Sequence, residues 1–184
     1  SAQAAENYKL DPTHTSVIFI VNHLGFSNFQ GRFGGTSGEL TLDRENPAAS
    51  SATISIDLTQ VDSGFEGLDN HMKTADFLNV EQSPTATFKS TSVEMTGDKT
   101  ATITGDLTLL GQTKPLVLDV TLTGEGDHPM TGDHVLGFGA TGTVTEIMIL
   151  THRRRQMMAP PVCLFLIRKD HIWRFAVRKR ALVR

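Results

Sequence analysis

Thr102-Ile103-Thr104-Gly105-Asp106-Leu107-Thr108-Leu109, a turn around Gly111-Gln112, then Leu116-Val117-Leu118-Asp119-Val120-Thr121-Leu122-Thr123: this stretch decides the fold. Ile103, Leu107 and Leu109 share a face with Gly105, while Thr102, Thr104, Asp106 and Thr108 take the other. Leu116, Leu118, Val120 and Leu122 alternate in the same way with Val117, Asp119, Thr121 and Thr123. In an extended chain successive side chains point to opposite faces, so a period of two means strands with one apolar and one wet face. Such sheets are antiparallel.

The pattern extends outward in both directions. Ala52, Ile54, Ile56 and Leu58 alternate with Thr53, Ser55, Asp57 and Thr59. Turn chemistry separates the apolar runs at Gly34-Gly35, Glu45-Asn46-Pro47, Gly97-Asp98, Gly111-Gln112 and between Gly124 and Gly132. Strands are expected near 8–10, 15–26, 31–43, 51–60, 84–95, 99–110, 114–125 and 134–145. Their recurrence at roughly ten-residue spacing favours a barrel or a sandwich. The first long run, Val17-Ile18-Phe19-Ile20-Val21, is apolar on both faces. Gly25 and Gly31 beside it suit the bends that a closed barrel needs. One segment departs from the pattern: Leu68, Met72, Ala75 and Phe77 stand near helical spacing and predict a short helix over 67–78, capped by Asp62 or Ser63. The fold class is therefore all-β with one short helix.

Charge divides the chain of 184 residues. Residues 1–145 hold seven basic against eighteen acidic residues, a net of −11, whereas 146–184 hold ten against two, a net of +8. The only cysteine is Cys163, so no internal disulfide forms. No apolar run is long enough to be a membrane-spanning helix. Ala2-Gln3-Ala4 has the small-x-small form of a signal-peptidase site, and residues 1–6 are read as the remnant of a removed export signal.

Seven stretches recur in order and resemble one family: Tyr8-Lys9-Leu10-Asp11, His23-Leu24-Gly25-Phe26-Ser27, Gly31-Arg32-Phe33, Asp69-Asn70-His71-Met72-Lys73-Thr74-Ala75-Asp76-Phe77-Leu78, Pro84-Thr85-Ala86-Thr87-Phe88-Lys89-Ser90, Thr104-Gly105-Asp106-Leu107-Thr108-Leu109 and Gly111-Gln112-Thr113-Lys114-Pro115. Together they look like the YceI-like family of periplasmic polyisoprenoid-binding proteins, over residues 7–145. The resemblance implies an eight-stranded antiparallel lipocalin-like barrel. It also implies a long-chain isoprenoid or similar amphiphile held in an internal apolar pocket, and location in the periplasm. It brings no catalytic residue, cofactor or metal, so it implies transport or sequestration and no enzyme activity.

A slender apolar chain suits such an interior. Eight strands enclose a space just wide enough for side chains or one thin ligand, and each buried methylene is worth about 0.8 kcal/mol. Inward glycines and alanines, such as Gly105 and Ala140, are expected to leave the channel open. The candidate ligand contacts are Phe19, Val21, His23, Phe29, Phe33, Leu68, Met72, Phe77, Phe88, Leu107 and Leu109. His23 is included because it shares strand parity with Val17, Phe19 and Val21. Peripheral contact with a membrane and a homodimer are compatible with this reading. An isomerase or hydrolase acting on an apolar substrate in the same pocket is one alternative; a cavity-free β-sandwich is another. No Gly-x-Ser-x-Gly elbow or placed cysteine supports a hydrolase. The histidines lack the close spacing of a metal site, and His128 and His134 are read as solvated. Asp76 is read as a local cap or the partner of an Arg or Lys.

Residues 146–184 do not match the resemblance. Family members continue with a closing strand, whereas here Arg153-Arg154-Arg155 and the only tryptophan, Trp173, arrive abruptly. This looks like out-of-frame translation. The rival readings are a basic appendage for anionic lipid headgroups and a nucleic-acid patch. The latter sits on no recognisable module, which weighs against it. Two segments, 162–167 and 172–177, have strand propensity; one of them is expected to occupy the vacant barrel edge, with 151–161 as a loop. Resequencing the encoding DNA is expected to reveal a slipped frame near the codon for Glu146, and an intact frame in independent reads removes the idea.

Overall fold

The structure is a computed structural model that describes residues 5–23, 26–144, 165–166 and 172–179, with Asn22, His23 and the last two segments described by their backbone alone. Its strands are β1 (Glu6–Leu10), β2 (Ser16–His23), β3 (Ser27–Phe33), β4 (Ser37–Leu42), β5 (Ser51–Asp57), β6 (Val61–Asp62), β7 (Thr85–Gly97), β8 (Thr100–Leu109), β9 (Gln112–Asp127), β10 (His134–Gly142), β11 (Phe165–Leu166) and β12 (Ile172–Lys179). One helix, α1 (Glu66–Lys73), stands between β6 and β7.

All the pairings are antiparallel and belong to one curled sheet, which corrects the sandwich alternative, since that needs two stacked sheets. The order β1-β4-β5-β7-β8-β9-β10-β12 returns on itself, because β12 pairs with β10 on one side and with β1 on the other. The first three staves are bent. β1 and β2 both pair with β12, at Leu10↔Val177 and Val17↔Trp173, so residues 6–23 form one stave broken at 11–15. β3 with β4 and β5 with β6 continue one another in the same way, around 34–36 and 58–60. Counted by staves the barrel has eight, the number the resemblance implies. The strands expected at 8–10 and 15–26 form one broken stave, however, so residues 6–142 make seven and β12 is the eighth. Residues 151–161 lie outside the described residues, and so does the question of a loop there.

The bends have local causes. Asp11 Oδ1 accepts from the Thr13 amide at 3.0 Å and the Thr13 hydroxyl at 2.6 Å, which turns the chain after β1. Gly35 provides φ +59° before β4, a conformation that costs a residue with a side chain. Gly31, expected to mark a bend, lies inside β3 opposite Phe19, with an unbroken register. Its use is space, since a β-carbon there would stand 2.2 Å from Phe19 Cζ. The turn between β8 and β9 is Leu110-Gly111, one residue earlier than expected, with φ of 54° and 71°. Two positive φ values match the right-handed twist of the flanking strands. Leu110 tolerates the conformation while burying its side chain to 8% exposure.

The helix is shorter than the expected 67–78. Thr74 leaves the helical region at φ −70°, ψ 172°, and its hydroxyl donates to the His71 carbonyl at 2.7 Å. The amides of Phe77 and Asn79 then bond to the Thr74 carbonyl, and that of Leu78 to Met72, so 74–80 close as turns. The cap also differs: Phe65 holds that position without a side-chain bond, while Asp69 Oδ1 accepts from the Ser63 amide at 2.7 Å.

Inside the ring, Tyr8, Leu10, Val17, Ile54, Ile56, Leu58, Ala86, Phe88, Leu107, Leu116, Leu118, Leu136 and Ala140 form one buried cluster. The alternation read from 52–58, 103–109 and 116–122 therefore points inward as expected. Gly105 does not leave a channel, however. The Phe88 ring fills that space, and a β-carbon on Gly105 would lie 2.4 Å from Phe88 Cζ and 2.6 Å from the Lys89 carbonyl oxygen. Because one of those neighbours is backbone, Gly105→Ala is expected to lower stability by about 1–3 kcal/mol in urea unfolding. Gly124→Ala, with nothing within 4 Å of its β-carbon position, is expected to change it by less than about 0.5 kcal/mol. Equal effects would remove the packing role given to Gly105.

Candidate functional site

The candidate site is an aromatic wall on β2 and β3. Residues directly opposite in an antiparallel pair share a face. The pairs Val17↔Phe33, Phe19↔Gly31 and Val21↔Phe29 therefore form one row. Val17 is 3% exposed and belongs to the central cluster, and Phe33 packs against that cluster, so the row faces the interior. The Phe19 ring lies over Gly31, 5.1 Å from the Phe33 ring and 6.1 Å from that of Phe29, tilted at 41° and 54°. These separations are those of attractive aromatic pairs. Val17 is buried, whereas Phe19, Val21, Phe29 and Phe33 are half-buried, so the wall runs from the filled core into a partly open region.

Phe19, Val21, Phe29 and Phe33 thus come together as a contiguous surface. Phe88 and Leu107, cross-strand partners, are 1% and 4% exposed and belong to the central core that Val17 joins; Leu109 is half-buried against that core. Leu68 and Met72 on α1 and Phe77 after it are half-buried at the barrel end that also carries the β2–β3 hairpin tip. The His71 ring meets Phe77 edge-on at 4.8 Å. The His23 side chain lies outside the described residues; its backbone pairs with Ser27 and with Phe165. Two phenylalanines at this end turn outward: Phe26 is 90% exposed and Phe65 70%.

Asp76, expected to cap the chain locally or to pair with an Arg or Lys, faces a histidine instead. It stands 3.3 Å from His71 Nε2, and both side chains are more than half exposed. Arg32 and Asp62 hold β3 to β6 through Nε at 2.9 Å and a terminal nitrogen at 2.8 Å, both on Asp62 Oδ2. The Gly64 amide, followed by Arg32, keeps the Asp62 carboxyl below its ordinary range. Among the described residues no three His, Cys, Asp or Glu side chains group as a metal site.

The opposite end of the barrel carries a polar chain that the sequence does not reveal. The buried Tyr8 hydroxyl donates to Glu6 Oε2 at 2.7 Å, and burial, then Glu6, pushes its pKa up to about 12. Arg44, just after β4, stands 3.7 Å from the same Glu6 oxygen and pairs with Glu125 of β9. His134, at the start of β10, bonds Asp127 Oδ1 through Nδ1 at 3.0 Å and Glu125 Oε1 through Nε2 at 3.0 Å. His134 is therefore paired, which corrects its reading as a solvated residue. Arg44 and Glu125 come from staves that are not neighbours, so their contact ties opposite sides of the ring.

An antiparallel barrel of lipocalin type, with an aromatic inner wall at the end that bears a helix, defines the class. A family description, YceI-like domain, matches residues 8–146, and the chain belongs to that family. It is 45% identical over 146 residues to Protein YceI of Escherichia coli O157:H7, covering 78% of this chain and 75% of that relative. Its fold is similar to that of Burkholderia cenocepacia BcnA, with a TM-score of 0.72, 19% identity, and coverage of 93% of this chain and 99% of that one. A polyisoprenoid binding domain from Saccharophagus degradans implicated in plant cell wall breakdown is also similar, with a TM-score of 0.65, 10% identity, and coverage of 96% and 100%. The family match ends at 146, so β12 lies outside it.

The polar chain generates a pH prediction. Asp127 first, then Glu125, raise the pKa of His134 above its ordinary 6.5. A raised pKa means the folded state favours the proton; the stabilisation is complete below the ordinary value and is lost as pH rises through the folded one. The urea midpoint is expected to fall as pH climbs through the region just above 6.5, and His134→Gln to flatten that fall. An unchanged slope in the variant would remove the pairing as its cause.

Proposed function

We propose that the protein binds a long-chain isoprenoid, or a similar slender amphiphile, against the Phe19–Phe29–Phe33 wall beneath α1, and that it carries or sequesters this lipid without transforming it. The observation that carries the reading is the wall itself: four half-buried apolar side chains continuous with a buried core. Leaving them partly uncovered forgoes roughly 25 cal/mol for each Å² that a ligand could cover. A polyprenyl chain offers repeated methyl and methylene groups of a width that an eight-stranded barrel accepts. The similar Saccharophagus degradans protein is a polyisoprenoid binding domain, so the same ligand class is named for that neighbour.

The other candidate contacts take graded parts in this proposal. Val21 extends the wall toward the hairpin tip, and Leu68, Met72 and Phe77 cover the ligand from the helix side. Phe88, Leu107 and Leu109 provide the packed floor. An isomerase or hydrolase reading needs an ionisable pair within the wall. The described His–carboxylate pairs stand elsewhere: His14–Asp11 at the first bend, His71–Asp76 on α1 and the loop after it, and His134–Glu125 at the opposite end. The compartment we propose is the periplasm, with the lipid drawn from a membrane surface.

Native mass spectrometry of protein purified without detergent or organic solvent tests the reading. A retained species with the mass of a polyprenyl compound is expected, and Val21→Trp, which fills the wall, is expected to lose it. Protein that retains none, and after delipidation takes up no polyprenol, would overturn the proposal.

A further inference from the structure

At the lower edge of the aromatic wall one polar group stands without a partner. Thr36 is 0% exposed, and its Oγ1 has no hydrogen bond among the described residues. Most buried hydroxyls in proteins are bonded, so each exception asks for an explanation. Other buried hydroxyls are bonded: that of Tyr8 donates to Glu6, and that of Ser50 accepts from the Asp43 amide. Position tells where the group lies. Ser37, exposed, pairs with Ser55, so Thr36 stands one step further, level with the buried Ile56. Along β4 the residues of its parity are Gly38, Leu40 and Leu42, and both leucines pack against the central cluster. On the other side, Phe33, the lowest ring of the wall, is three residues away. Thr36 thus stands on the interior row where the wall meets the filled core.

We propose that Thr36 is the polar contact of the ligand site and that it selects amphiphiles carrying an uncharged oxygen, such as an alcohol, carbonyl or ether, which enters oxygen-first to bond Oγ1. This deepens the lipid-binding reading and rests on it. A buried hydroxyl with no partner destabilises the unliganded protein, and a ligand oxygen that reaches it recovers that cost on binding. Side chains close over Oγ1 in the unliganded form, so ligand entry displaces half-buried neighbours of the wall. The oxygen is uncharged because the group that meets it is itself a neutral hydroxyl. One neutral hydroxyl does not offset the desolvation of a phosphate.

Thr36→Val keeps the shape and removes the hydroxyl, and Thr36→Ser keeps the hydroxyl. The probes are geranylgeraniol, which has one hydroxyl, and squalene, an isoprenoid hydrocarbon with none, each measured by displacement of diphenylhexatriene, an uncharged fluorescent hydrocarbon. In Thr36→Val, geranylgeraniol is expected to weaken by about five- to tenfold, the worth of one net hydrogen bond. Squalene is expected to stay within twofold (about 0.4 kcal/mol), and the urea midpoint of the ligand-free variant to rise. Thr36→Ser is expected to keep the wild-type ratio of the two affinities. A lower midpoint in Thr36→Val, or an unchanged affinity ratio, overturns the inference while leaving the lipid reading intact. If wild-type protein binds neither probe, the lipid reading falls and takes this inference with it.

Discussion

The hydrogen bonds that β12 makes on both of its edges carry the barrel. A sheet that ends at β10 on one side and β1 on the other leaves two rows of backbone donors and acceptors facing each other across a gap, and open edges of that kind recruit other chains. Ile172–Lys179 spans the gap in antiparallel register from Thr141↔Ile172 to Val135↔Arg178 on one side, and from Leu10↔Val177 to Tyr8↔Lys179 on the other. Only closure turns one sheet face into an enclosed interior. The buried positions on β1, β5, β7, β8, β9 and β10 can then meet as a single core.

That the closing stave lies beyond the family match has a physical reading. Backbone pairing depends little on side-chain identity, so a segment with strand propensity and the right length can take such an edge without the family's motifs. The first 144 residues define the vacancy: they provide two edges and the parity of both. The same independence explains why the seven motifs of the resemblance end where they do and yet predict the number of staves. Strand count is a property of closure geometry, whereas the motifs record the wall, the helix and the turns.

Much of this is legible in the sequence because it is periodic. Period two gives Val17, Phe19 and Val21 one parity and Ile54, Ile56 and Leu58 another run of one parity, and in the structure Val17 and the second set share one interior core. What stays hidden comes from long range or from residues with two uses. A glycine serves either a positive φ or the lack of a β-carbon, and sequence does not separate them. Gly31 reads as a bend and Gly105 as open space, while each is covered by a phenylalanine ring from the neighbouring strand. Thr36 falls inside the expected strand at 31–43 beside Gly34-Gly35, and nothing in its neighbours hints at complete burial. The Arg44–Glu125 contact joins residues 81 positions apart from separate staves, and nothing local in either segment announces it. Spacing overextends the helix because Ala75 and Phe77 continue its period, whereas Thr74, with its hydroxyl on the His71 carbonyl, has already ended it.

The two ends of the barrel differ in the kind of force that holds them, and under the proposed function this difference sets the direction of traffic. At one end Glu6, Arg44, Glu125, Asp127 and His134 form a continuous chain of ion pairs across the ring. Glu125 is held below its ordinary carboxyl range by His134, then Arg44, so its contribution is present at neutral pH and fades only on strong acidification. An apolar chain passing there would have to strip water from those charges and break their pairing. At the other end the elements are a hairpin tip, a turn and an eight-residue helix with no buried residue, and the outward groups there include the bare rings of Phe26 and Phe65. Parting such contacts costs dispersion and apolar burial, which an incoming hydrocarbon replaces in kind. A lipid that enters at the helix end therefore meets a wall it can substitute for, and it stops where the packed core begins, at the level of Thr36.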